Sequence, residues 1–104
     1  MPVAVEMNFR GATLDQYDQI LEKMGLPPGS PPPPGALAHW VAKTDDGIRV
    51  VDLWESREKY DQFAKEQIGP YTQEVGISEA PEMRFYDVHN HMVGALGSGP
   101  SPAH

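Results

Sequence analysis

The chain predicts an α+β fold of element order β-α-β-β-α-β, with a four-stranded antiparallel sheet and two helices on one face. Three observations predict it. Residues 3–9 alternate apolar and polar, as a strand with one apolar face does. Residues 48–54 bunch Ile48, Val50, Val51, Leu53 and Trp54 with few polar breaks, as a strand buried on both faces requires, and run straight into a helix start at Ser56. Asp46-Gly47 joins that strand to the one before it as a hairpin, while helical patterns separate the other strands. A central hairpin flanked by two helical crossovers gives the split βαβ arrangement.

In the first strand Val3, Val5, Met7 and Phe9 form one face and Ala4, Glu6 and Asn8 the other. Gly11 and Ala12 turn the chain. Thr13 and Gln16 have capping-box spacing, and Leu14, Tyr17, Leu21 and Met24 recur at helical intervals, so a helix is expected over 13–24, stopped by Gly25 and Pro27. The Pro-rich stretch 27–35 can be neither helix nor central strand. It reads as a stiff extended connector; a lid over a pocket and a docking segment are the sharper alternatives.

The second strand is expected over 36–43, a turn over 44–47 and the third strand over 48–54. Ser56 caps a helix from about Arg57 to Ile68, with Glu58 in its first turn and Tyr60, Phe63, Ala64 and Gln67 or Ile68 on one side. Gly69-Pro70 should break it, and Pro70 should open a short helical piece closed by Gly76. The fourth strand is expected over 82–92. Residues 1–93 then form one domain, and 94–104, rich in Gly, Ser and Pro, form a disordered tail. With both helices on one face, the other is bare. It would carry Trp40 or His39, Val50 or Val51, Trp54 and a residue of the last strand, and pairing two such faces into a homodimer would cover them.

A formal net charge of −7 over 104 residues, with eight scattered Lys and Arg, argues against nucleic acid and anionic membrane partners. The absence of Cys removes disulfides and thiolate chemistry and fits a cytoplasmic protein. The first residues lack a basic, signal-like n-region, and no apolar run reaches membrane-spanning length.

The junction Val51-Asp52-Leu53-Trp54-Glu55-Ser56-Arg57-Glu58-Lys59-Tyr60 resembles the dimeric α/β-barrel superfamily. It looks most like the antibiotic-biosynthesis-monooxygenase-like group, where a Trp-Glu-Ser step commonly opens the second helix. The likeness covers residues 1–93 and implies a ferredoxin-like homodimer. Members include cofactor-free monooxygenases of aromatic polyketides, haem-degrading enzymes, small lyases and isomerases. In the polyketide monooxygenases that Trp and a Tyr six residues later help line the pocket, and Trp54 and Tyr60 match them. The Asn four residues before the Trp is Val50 here, and the pocket Arg has no counterpart. Asn8 matches a strand-1 Asn of the haem-degrading members, but their helical Trp is Phe63 here and no His lies near the second helix.

His39 and His89 are the natural acid/base candidates, because imidazole titrates near neutral pH. If His39 faces inward, Asp52 on the neighbouring strand can orient its ring. Asp87, His89 and His91 share one strand face, but too few ligands converge for a metal site to be expected. Glu6, if it lines the interior, would be a base with a raised pKa, with Asn8 beside it. Three readings follow. The first is an enzyme without cofactor, performing oxygenation or proton transfer such as isomerisation or cyclisation on a small apolar or aromatic molecule. Trp54, Tyr60, Asn8 and Glu6 would shape its pocket and His39, Asp52 and His89 would handle protons. The second is a non-catalytic binding or structural dimer. The third is a haem binder through His39 or His89.

Overall fold

The computed structural model describes residues 1–94. The elements are β1 (Val3–Arg10), α1 (Leu14–Lys23), β2 (Ala36–Lys43), β3 (Gly47–Trp54), α2 (Arg57–Phe63), a π turn (Ala64–Ile68), α3 (Gly69–Glu74) and β4 (Glu82–Asp87). The strands lie in the order β2-β3-β1-β4 and every neighbouring pair is antiparallel. This is the ferredoxin-like α+β arrangement. The tail expected over 94–104 lies outside the described residues except for Gly94. Among the described residues no helix is long and apolar enough to cross a membrane.

Alternation in β1 sends Val3, Val5, Met7 and Phe9 into the core beneath the helices. Ile48, Val50, Asp52 and Trp54 of β3 join them on that side. β3 therefore alternates like β1 rather than being buried on both faces in the single chain. Trp54 points to the helix side and is 1% exposed, so the expectation that it lies on the bare face is corrected. The outer face carries Ala38, Trp40, Val51, Leu53 and Tyr86, beside Glu6, Asn8 and Arg49. Trp40 and Tyr86 are 50% and 48% exposed there.

Thr13 caps α1 by a reciprocal pair. Its hydroxyl accepts from the Gln16 N–H at 3.1 Å, and the Gln16 side chain accepts from the Thr13 N–H at 3.0 Å. Such caps stabilise a helix by about 1 kcal/mol. Gly25 ends the helix at φ +76°, a conformation that costs glycine little. The hairpin forms where Asp46-Gly47 predicts it, for a different reason. Gly47 has no positive φ, but a Cβ there would lie 1.9 Å from the Phe9 carbonyl oxygen.

Two boundaries differ from expectation. Helix α2 does not break at Gly69-Pro70. The Gly69 N–H reaches back five residues to the Ala64 carbonyl, and this wide turn sets Pro70 in the first turn of α3, where no N–H is needed. β4 stops at Asp87 rather than 92, because its partner runs out. Val3 pairs with Asp87, and the Val88 N–H makes a last bond to the Pro2 carbonyl at 3.0 Å. His89 and His91 therefore leave the sheet, and they do not share a strand face with Asp87.

Candidate functional site

The helix side of the sheet has two unlike halves. Under α2 it is filled by rings. Trp54 packs on Tyr60 and Phe63 at centroid distances of 5.9 and 5.2 Å, and Tyr60 meets Phe85 edge-on at 5.7 Å. The Arg57 guanidinium lies 3.4 Å over the Phe85 ring and closes this half. Under α1 a cavity of about 460 Å³ remains, bounded by Tyr17, Ile20, Leu21 and Met24 of α1, the sheet residues Met7, Ile48 and Val50, and Trp54. Its outer wall is the Pro-rich segment, with Pro27, Pro28, Gly29, Ser30, Pro31, Pro32 and Pro33 all lining it. The lining is mainly apolar; Tyr17, His39 and Asp52 supply ionisable groups, and no Lys or Arg contributes.

These three groups form one chain with Trp54. His39 of β2 and Asp52 of β3 are paired across the ladder, so their side chains share a face. His39 Nδ1 lies 2.5 Å from Asp52 Oδ1. The Trp54 indole N–H, two residues along the same strand, donates to Asp52 Oδ2 at 3.1 Å. Asp52 is 5% exposed, and a buried carboxylate is costly unless both oxygens find donors, as they do here. A carboxylate only accepts, so it holds the His39 proton on Nδ1 and leaves the Nε2 lone pair free. The Tyr17 hydroxyl lies within hydrogen-bond reach of Nε2, and with the ring neutral it donates to that lone pair. The Tyr17 and His39 rings also stack, 5.8 Å apart and 11° from parallel. Burial, then the negative charges of Asp52 and Asp18, push the Tyr17 phenol up to about 12, so at neutral pH it is a donor.

Of the residues singled out from the sequence, His39, Asp52 and Trp54 meet at the cavity. Tyr60 does not line it. It is buried behind Trp54 with its hydroxyl on Met7 Sδ at 3.3 Å, and burial raises its pKa. Glu6 and Asn8 lie on the opposite face of the sheet. There the Asn8 amide donates to Glu6 at 2.9 Å and Arg49 donates to Asn8 at 2.7 Å. Strand parity puts them there: their β1 neighbours Val5, Met7 and Phe9 take the core side. His89, past the end of β4, is exposed and does not line the cavity. Tyr17 was not singled out, because its helical spacing reads as core. The available signal was a phenol in an otherwise aliphatic stripe, since a half-buried hydroxyl needs a partner.

No family model and no curated protein matches the sequence. Solved structures do. A Chloroflexus aurantiacus J-10-fl protein provisionally assigned as an antibiotic biosynthesis monooxygenase superposes with a TM-score of 0.55 at 22% identity, over 90% of this chain and 100% of that one. The fold is that of the antibiotic-biosynthesis-monooxygenase-like structures. A conserved protein from Methanosarcina mazei Go1 superposes with a TM-score of 0.54 at 11% identity, over 83% of this chain and 91% of that one. A Streptomyces coelicolor monooxygenase in complex with nanaomycin D gives 0.48 at 16% identity over 90% and 92%.

Proposed function

We propose that the chain is a small-molecule enzyme in which the His39–Asp52 pair drives removal of a proton from a neutral, largely apolar or aromatic molecule held in the cavity. The observation that carries this reading is the hydrogen-bonded chain Tyr17–His39–Asp52–Trp54 at the wall of an otherwise apolar chamber. A neutral imidazole whose tautomer is set by a buried carboxylate is the arrangement a general base needs. Apolar walls and the lack of a lining cation favour an uncharged ligand, and the volume suits two or three fused rings. Removing a proton beside a carbonyl leaves an enolate. Returned at another carbon, the proton gives isomerisation. With dioxygen as co-reactant, a CH₂ becomes C=O and its two hydrogens leave as water, the cofactor-independent oxygenation that the provisional assignment of the Chloroflexus neighbour suggests.

The test uses 2-tetralone, a neutral bicyclic ketone with an acidic methylene. NMR in D₂O follows deuterium entry at that carbon, and an oxygen electrode runs alongside. Exchange above the buffer rate that falls about 100-fold in His39→Ala supports the enzyme. Oxygen uptake separates oxygenation from simple proton transfer. Equal rates with and without protein support a non-catalytic binder. A haem reading gains little from the geometry, because both His39 ring nitrogens are already engaged and His89 lies outside the cavity.

The outer sheet face supports a homodimer. Trp40, Val51, Leu53 and Tyr86 there are apolar or aromatic and at least partly exposed, and a second copy would cover them. Sedimentation at micromolar concentration checks this: a dimer is expected, converted to monomer by Trp40→Glu.

A further inference from the structure

We propose that Tyr17, rather than His39, is the group that meets the ligand, and that it passes the proton on to His39. The inference rests on the proton-transfer reading above and assigns the contact within it. A neutral imidazole has one lone pair. His39 Nδ1 is committed to Asp52, and the lone pair on Nε2 is covered by the Tyr17 hydroxyl. With Tyr17 in place, a ligand in the cavity has no route to either ring nitrogen. The Tyr17 oxygen, by contrast, still has acceptor capacity, and Tyr17 lines the cavity from α1. The stacked rings and the link through Asp52 to the buried Trp54 hold the phenol in register with the imidazole.

The step then moves two protons. The ligand C–H bond breaks and its proton bonds to the Tyr17 oxygen. The original Tyr17 O–H bond breaks and that proton bonds to His39 Nε2. The imidazolium pairs with Asp52, and the electron pair of the C–H bond stays on the ligand as an enolate. Tyr17 is neutral before and after, so the buried phenol never has to exist as a phenolate. His39 and Asp52 act through it, which makes Tyr17 the catalytic residue and the other two its base and orienting group.

The experiment follows loss of deuterium from 2-tetralone labelled at its acidic methylene. It compares the wild-type chain, Tyr17→Phe, His39→Ala and the double variant, with circular dichroism and thermal melting to establish folding. Tyr17→Phe keeps the stacked ring and removes only the hydroxyl. The expected result is a loss of about 100-fold or more in each single variant, with the double variant no slower, because the pair acts as a unit. A wild-type or faster rate in Tyr17→Phe, with His39→Ala inactive, would overturn the relay and leave His39 as the direct base. Wild-type rates in both variants, or no rate above buffer in the native chain, would overturn the proton-transfer reading itself. A second readout needs no variant. In the relay an exchangeable O–H is in flight, so washout of a tritium label placed at the same methylene is slower for the wild-type chain in D₂O than in H₂O. Equal rates in the two solvents point to direct abstraction.

Discussion

The two halves of the helix side are built on one sheet by different means. Under α2, Trp54, Tyr60, Phe63 and Phe85 fill the space with one another, and the Tyr60 hydroxyl settles for a sulfur. Under α1, a space between helix, sheet and Pro-rich wall stays open, and Tyr17, His39 and Asp52 collect at its edge. Trp54 belongs to both halves: its ring faces sit in the filled one, while its N–H steadies the carboxylate of the open one. The contrast separates residues that hold the fold from residues free to do chemistry.

The change expected to have the largest effect falls on the open half. Asp52→Asn keeps shape and volume but can present an N–H to His39 and favour the wrong tautomer. Exchange of the ketone methylene is expected to drop about 10²–10⁴-fold with folding retained. A rate within threefold of wild type would mean that the open half does no proton chemistry. Next is Trp54→Ala, which empties the filled half and frees Asp52 Oδ2, with an expected loss of about 3–5 kcal/mol in urea unfolding. Ile20→Ala, on the α1 side of the cavity, should cost about 2 kcal/mol, the low end of such truncations, because the side chain already faces a void. Equal losses at the two positions would erase the distinction between the halves.

The smallest effect is alkaline. Tyr17, with a folded-state pKa near 12 against an ordinary value of 10.0, favours folding below pH 10 and loses that contribution as pH rises through its folded value. Tyrosinate absorbance at 295 nm should therefore show a late component near pH 12 that Tyr17→Phe removes, and the variant should lose less stability than wild type between pH 10 and 12.

Much of this was legible in the chain. Alternation in β1, the Thr13–Gln16 cap and the Ser56 helix start are local signals, and local signals were enough for the element order. The pairing of His39 with Asp52 was legible as a condition, that His39 face inward; the register of the β2–β3 ladder meets it. What stayed hidden depends on non-local geometry. Alternation names two faces without saying which one the helices cover, so it misplaces Trp54 and chooses no side for Glu6 and Asn8. Tyr17 was missed because nothing in residues 14–24 says that α1 lies over His39. Pro70 was read as a break because a π turn carries no residue signature.

The Pro-rich wall has a consequence for how a guest is chosen. Pro31, Pro32, Pro33 and Pro34 carry no amide hydrogen, so that stretch can donate nothing to whatever lies against it. It offers carbonyl acceptors and outline, and no donor. A guest's heteroatoms are recognised mainly at the Tyr17 corner, and a molecule inserted back to front forfeits little more than that single contact. On the proton-transfer reading proposed above, which of two similar carbons reacts would be set by how the ring system's silhouette fits a row of pyrrolidines, and reshaping that row should redirect the chemistry without touching the groups proposed to perform it.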